Sequence, residues 1–356
     1  MGPSTEVLMV DSSKSPKILL VKLSSLGDVL HNLPIVWDIR ARLPNAQIDW
    51  VVEEGYVHLL TPLLSSEGFR GIDRIIPFGL RRWKKSPFSL HSWEQFFVFK
   101  KELQGVTYDV IIETQGLIKS ALVCALANKS SDAVVAGLAN ATEFSGYEPM
   151  AQYFYNEIVQ VPLQCHAVHR SRCITCSALD WPLIDKTEKP NFYPDTFVET
   201  IGFKRVIDLQ IPYILFFHST ARDAKRWANT HWVELGKKLS EQGYQVVLPW
   251  GSAVERAISR ELAEQIPGSM VPNAFSIEEA FSVIANSALV VGVDTGLTHL
   301  AAVLNKPTIE IYCDSPRWKT EGYWSKKIRN FGDIEAPPGV GEVIDAALDL
   351  LSVTKN

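Results

Sequence analysis

The turn Ser24-Ser25-Leu26-Gly27-Asp28 carries a carboxylate where ligands tend to bind. It lies between an apolar run, residues 18–23, and a helical pattern marked by Val29, Leu33, Val36, Ile39 and Leu43. A strand that feeds a helix this way places its turn at the carboxyl edge of a sheet, the ligand edge of open α/β sheets. Ser24, Ser25 and Gly27 leave room there, and the turn's amides face the space. The plain alternative is that Asp28 caps the helix, a role that Asp fills well. The turn is neither a Walker A loop nor a G-x-G-x-x-G fingerprint.

Three stretches in the second half of the chain carry matching chemistry. Asp294-Thr295-Gly296-Leu297 joins an apolar strand run to a helical pattern. An aspartic protease needs two carboxylates sharing a proton, and only one D-T-G is present. The amides of Thr295, Gly296 and Leu297 instead open a helix, where phosphate is held. Asp294 is suited to hydroxyls, as on a sugar, with a simple N-cap as the alternative. After the run YILFF comes HSTARDAKRW, in which Thr220 can bond a phosphate oxygen and Lys225 can neutralise one. After QVVLP comes Trp250-Gly251-Ser252, with Glu255 placed to take ribose hydroxyls. Three strand ends in one half thus supply partners for a nucleotide and a sugar.

The densest positive run is Arg81-Arg82-Trp83-Lys84-Lys85, and Lys119 follows a strand at the same sheet edge. Such a run is either a solvated face or, with a Trp inside it, a grip for a polyanion or a membrane surface. His166, His169, Cys173 and Cys176 share one face of an expected helix. Ten helical residues span about 15 Å, too far for one ion with ligands at about 2 Å, so these read as packing residues and no metal is expected, with a metal site as the lesser alternative. The lone C-x-x-C does not follow a strand, which argues against redox work.

The elements that must position these groups alternate between strand and helix. Strands are expected at 18–23, 47–52, 72–78, 108–113, 133–137, 213–217, 245–249, 288–293 and 307–312, the last of them. Helices are expected at 93–103, 120–127, 232–242, 253–266, 277–286, 298–304 and 340–351. This alternation predicts α/β architecture with parallel sheets covered on both faces. Residues 186–212, polar and with three prolines, mark a junction between two halves. A cleft between such halves is a natural ligand site.

The 356 residues suffice for two domains, and 46% hydrophobic with 21% charged content is globular. A net charge of −5 argues against nucleic acid as a partner, so any anion must meet a local basic patch. Five cysteines, an odd number, do not form a disulfide framework and suit a reducing compartment. No run approaches the roughly 18 apolar residues of a spanning helix. No signal-peptide pattern is read at the start, and residues 1–16 read as a loosely held extension.

In order, KLSSLGDVLHNLP, DWVVEEGY, RRWKK, ETQGLIKSA, HSTARDAKRW, LPWGS and VVGVDTGLTHLAA resemble the lipopolysaccharide heptosyltransferases, from residue 17 to about residue 351. VVEEGY and RRWKK favour the type I branch over type II. The resemblance implies a GT-B fold, two Rossmann-like parallel-sheet domains facing a central cleft. Residues 17–195 would bind the acceptor and 205–356 ADP-heptose, with the last helix crossing back to the first domain. It implies inverting transfer of L-glycero-D-manno-heptose from ADP-heptose to the Kdo of Kdo2-lipid A, without a bound cofactor. The protein would act as a monomer, peripheral on the cytoplasmic face of the bacterial inner membrane.

Carried over by residue, Asp28 matches the general base. Thr220, the Ala221 backbone and Lys225 match donor phosphate and sugar contacts. Glu255 matches the ribose contact, and Asp294 and His299 the heptose side, with the Thr295, Gly296 and Leu297 amides on the diphosphate. Ser24, Ser25, Gly27, Arg81, Arg82, Lys84, Lys85, Gln115 and Lys119 form the acceptor-side set. Two departures stand out. Phe275 replaces the family's frequent Met beside adenine, and Tyr147 replaces a frequent basic residue before Glu148-Pro149. The alternatives are a related nucleotide-sugar transferase of type II kind, a GT-B-fold sugar-nucleotide epimerase, and a nucleotide-binding protein without catalysis.

Overall fold

A computed structural model describes residues 15–194, 207, 211–220 and 222–353. The first half holds six parallel strands: β1 Lys17–Val21, β2 Gln47–Glu53, β3 Arg74–Phe78, β4 Thr107–Glu113, β5 Asn128–Leu138 and β6 Glu157–Val159. They lie in the order β3-β2-β1-β4-β5-β6. The central strands are apolar almost throughout because helices cover both faces; Ile18, Leu19, Leu20 and Val21 are all buried. The helices are α1 Leu26–Leu30, α2 Pro34–Arg42, α3 Val57–Leu60, α4 Leu80–Lys85, α5 Leu90–Leu103, α6 Ile118–Leu126 and α7 Ala167–Ala178.

The second half repeats the plan with β7 Tyr213–Phe217, β8 Gln245–Val247, β9 Leu289–Val293, β10 Thr308–Tyr312 and β11 Ile328–Gly332. These five run parallel in the order β11-β10-β9-β7-β8. Their helices are α8 Asn229–Glu241, α9 Ala253–Ala263, α10 Ile277–Ala285, α11 Gly296–Val303 and α12 Val340–Val353. The doubly wound plan is thus the one expected. The expected domain bounds at residues 195 and 205 fall outside the described residues, as does most of the 1–16 extension.

Two expectations are corrected. The run 307–312 is not the last strand, because β11 adds to the edge of the second sheet beside β10. Only the first residue of β11 is fully buried, so its sequence lacks the apolar run that marks the inner strands. The last helix does not cross back: α12 packs on α8, β9 and β10. Val343, Ala347, Leu350 and Leu351 on its inner face join the second half's own core.

The halves are held together elsewhere. One apolar cluster runs from Leu59 and Leu60 of α3 to Phe281 and Ile284 of α10. Phe192 lies 4.5 Å from the Trp324 ring. The loop after β10 also reaches the first half, where Lys319 Nζ donates to the Phe144 carbonyl at 2.5 Å. No helix among the described residues is long and apolar enough to cross a membrane.

Candidate active site

The turns after β1 and β9 meet at a cleft of about 470 Å³. Ser25, Gly27, Asp28, His31 and Tyr56 line it from the first half, and Thr220, Lys225, Asp294, Gly296, His299 and Lys319 from the second. Two glycines let the helix starts approach. A Cβ at Gly27 would lie 3.2 Å from His299 Cδ2, and one at Gly296 would lie 2.6 Å from Leu26 Cδ2.

Asp28 is half-buried and stands not at the N-cap but at the third helical position, where its carboxylate closes a capping box. Ser25 holds the N-cap. The Asp28 carboxylate accepts bonds from the Ser25 amide at 3.1 Å and hydroxyl at 2.8 Å. Burial alone would favour the neutral acid. The cations of Lys22 and Arg170, with the Ser25 bonds, outweigh it and hold the carboxyl well below the usual range. Asp28 is therefore ionised at any ordinary pH. Lys22 is buried at the end of β1 and donates to the Thr114 carbonyl at 3.1 Å. Burial pushes its ammonium down to about 8, against the pull of Asp28.

Across the cleft runs a chain of alternating charges. Lys225 pairs with Asp294 Oδ2. Asp294 Oδ1 lies 3.0 Å from His299 Nε2, and His299 Nδ1 lies 2.8 Å from the buried Glu310. Burial would discourage charge on His299, but Glu310 and Asp294 flank both ring nitrogens and raise it to about 10. Asp294 is likewise held far below the usual carboxylate range by His299 and Lys225, against its burial. Asp294 stands just before the start of α11, where the first-turn amides have no intrahelical acceptor.

A side cavity of about 220 Å³ shares Leu26 and Thr295 with the cleft and is also lined by Trp250, Glu255, Phe275 and Leu297. Glu255 Oε2 accepts from the Gly251 and Ser252 amides at 2.6 and 3.0 Å. Its other oxygen has no bond among the described residues. The cavity has an apolar wall and one carboxylate, the requirements of an adenosine.

Other expected residues stand elsewhere. Ser24 and Gln115 are buried behind the first turn, not on the cleft. Gln115 Oε1 accepts from the Leu23 and Ser24 amides at 2.8 and 3.3 Å, and so braces the loop. Lys119 and Arg81 both pair with the buried Glu53, at 3.0 and 2.7 Å, and Arg82 pairs with Glu54 at 2.8 Å. Lys84 and Lys85 are exposed. Ala221 lies outside the described residues. Tyr147 accepts a bond from Gln152 rather than facing the cleft. His166 Nδ1 accepts from the Val168 amide at 3.2 Å, and Cys176 is buried in the core. Cys165, His169 and Cys173 do gather, with ligand atoms within 4.8 Å of one another, but no fourth such group joins them among the described residues. Arg170 lies near Cys165 and Arg172 near His169, a setting that opposes a cation.

Several cleft residues were missed in the sequence. His31 is buried between the halves, 4.9 Å from the His299 ring, with its Nε2 3.2 Å from the Thr320 carbonyl. Lys319 and Thr320 come from a loop without apolar periodicity. Lys22 and Arg170 had a signal, a lone cation in an apolar strand end and another on an apolar helix face.

A family model described as glycosyltransferase family 9 (heptosyltransferase) matches residues 96–342. The chain belongs to glycosyltransferase family 9. As a member it is a glycosyltransferase, with the GT-B fold of its structural neighbours. It is 33% identical to the lipopolysaccharide heptosyltransferase 1 of Salmonella typhimurium over 335 residues, 92% of this chain and 99% of that one. Among solved family 9 structures, E. coli heptosyltransferase WaaC with ADP superposes with a TM-score of 0.78 at 31% identity, covering 94% of this chain and 99% of the other. The E. coli lipopolysaccharide heptosyltransferase 2 matches over only 95 residues, 25% of this chain and 27% of its own length.

Proposed function

We propose that this glycosyltransferase is a lipopolysaccharide heptosyltransferase of type I. It would move L-glycero-D-manno-heptose from ADP-heptose to the Kdo of Kdo2-lipid A with inversion. It would work as a monomer, peripheral on the cytoplasmic face of the inner membrane. The observation that carries the reading is an ionised carboxylate, Asp28, facing a helix start and a lysine across one cleft. The sequence match runs nearly the whole chain for a type I enzyme and a quarter of it for type II, which supports type I.

The chemistry is one displacement. The acceptor hydroxyl oxygen attacks the anomeric carbon as the bond to the β-phosphate oxygen breaks. Asp28 takes the hydroxyl proton, and ADP leaves with the bonding electrons. The α11 amides, Lys225 and Lys319 meet the charge that develops on the diphosphate. The countercharge comes from the chain's own groups, so the reading calls on no resident metal or cofactor. When phosphate draws Lys225 away, Asp294 stays anchored by His299, and its freed oxygen can accept a heptose hydroxyl. The adenosine would fill the side cavity, with Phe275 against the base and Glu255 on the ribose.

The test is turnover of ADP-heptose with de-acylated Kdo2-lipid A, following ADP release and acceptor mass together. A heptose-sized mass gain matched to ADP release, and lost in Asp28→Asn, is expected. ADP release without a mass gain would refute this acceptor. Transfer only to an already heptosylated core would favour type II.

A further inference from the structure

The apolar surface most at odds with solvent lies away from the cleft floor, on the arm formed by α4 and α5. Phe88 is 96% exposed and Leu90 83%, while Trp93 and Phe97 are each more than half exposed. Leu90, Trp93 and Phe97 fall within about 60° of one another on the helical wheel. They lie opposite the buried Phe99 and Leu103, so they are not that helix's core face. Beside them is a shallow hollow of about 280 Å³, lined by Trp83, Lys84, Pro87, Ser92, Trp93 and Phe96. A soluble protein rarely leaves so continuous an apolar stripe unpartnered.

Charge says what would cover it. The protein's net charge is −5, yet residues 80–101 carry six basic side chains and a single acidic one, Glu94. Arg81 and Arg82 are paired with Glu53 and Glu54. Lys84, Lys85 and Lys101 are exposed beside the stripe. Aromatic side chains framed by lysines suit the headgroup boundary of an anionic bilayer, where rings enter the interface and ammonium groups meet phosphates. The arm also follows β3 at the carboxyl edge of the first sheet. The Arg81 guanidinium lies over the ring of Tyr56, a cleft residue, at 5.8 Å. The arm therefore touches the cleft wall through Arg81.

We infer that the α4–α5 arm, with Phe88, Leu90, Trp93 and Phe97 inserted and Lys84, Lys85 and Lys101 at its rim, docks the protein on an anionic lipid bilayer beside the cleft mouth. This rests on the proposed lipid-linked acceptor only for its biological setting. The docking itself is a property of the arm and is measured without substrate.

The test is flotation with phosphatidylcholine vesicles, with and without phosphatidylglycerol and free of any glycolipid acceptor. Wild type should float with the anionic vesicles, and added salt should weaken it. Phe88→Ser with Phe97→Ser should bind at least about tenfold more weakly. The same variant should keep wild-type melting and wild-type turnover on de-acylated acceptor. Equal flotation of the variant, or no flotation of wild type on anionic vesicles, would overturn the inference. So would binding only when the vesicles contain acylated acceptor, which would make the stripe an acyl-chain subsite. A wild-type dimer that the variant splits, seen by sedimentation, would make it a self-association face and also overturn it. Loss of turnover by wild type on the soluble acceptor would bear on the proposed reaction and leave the docking result standing.

Discussion

Gly296→Ala tests whether the contact between the two helix starts sets the reaction geometry. The added Cβ would lie 2.6 Å from Leu26 Cδ2 and 2.9 Å from Leu26 Cβ. Carbon atoms in contact sit about 3.5–4.0 Å apart, so the α1–α11 contact must open by about 1 Å. The Gly296 amide survives the change, so donor affinity should hold, while the forced contact should cost about 1–3 kcal/mol of stability. What moves is Asp28 relative to the anomeric carbon. A displacement of about 1 Å costs on the order of 100-fold in rate. The expected result is therefore a roughly hundredfold fall in kcat with an ADP dissociation constant near wild type, read from turnover on soluble acceptor and an ADP titration. Leu26→Ala in the same chain removes the 2.6 Å clash but leaves the one at Cβ, so it should restore part of the rate. A Gly296→Ala enzyme within threefold of wild type would refute the reasoning, as would a double variant no better than the single one.

Asp28→Asn should fold normally, bind ADP-heptose and lose about 100- to 10,000-fold in kcat, the usual range for a positioned base. Lys22 is pushed down to about 8, so it should discharge as pH rises through that value. Asp28 then loses its main opposing charge and becomes a stronger base. The wild-type kcat should rise across that window, and Lys22→Met should abolish the rise. His299, raised from 6.5 to about 10, stabilises the fold fully below pH 6.5 and loses that contribution as pH rises through 10. In urea unfolding, His299→Gln should be less stable by on the order of a few kcal/mol at pH 6, with the gap closing toward pH 10. Lys22 contributes the opposite slope above 8, so the difference between wild type and variant isolates His299. Gln115→Ala leaves two buried amides without their acceptor and should cost about 1–3 kcal/mol in urea unfolding. Unchanged stability with a raised acceptor KM would instead return Gln115 to the acceptor side.

The parts of this architecture legible in the sequence are those with strong local periodicity. YILFF and LVVGV could only be buried strands, and each ends in a polar turn, so the sheet edge carrying Asp28 and Asp294 could be placed in advance. β11 was not legible, because an edge strand is covered on fewer sides and IRNFG has no apolar run. The path of the last helix is not legible either. Its apolar positions show that one face is buried, not which half of the protein buries it.

Side-chain roles divide along the same line. The chain order by itself determined that a carboxylate, a helix-start glycine and a lysine would stand at ligand-binding strand ends, since strand, turn and helix are set within a few residues. Only the tertiary structure decided which groups face one another. It set Lys22 and Arg170 around Asp28 and locked His299 between Asp294 and Glu310. It turned Gln115 inward to the loop amides, and gave Arg81 and Lys119 to Glu53. Apart from Lys22 with Asp28 and His299 with its two carboxylates, these pairings join residues tens to more than a hundred positions apart. Their charge states depend on burial and on the nearest opposite charge, which a linear sequence does not contain.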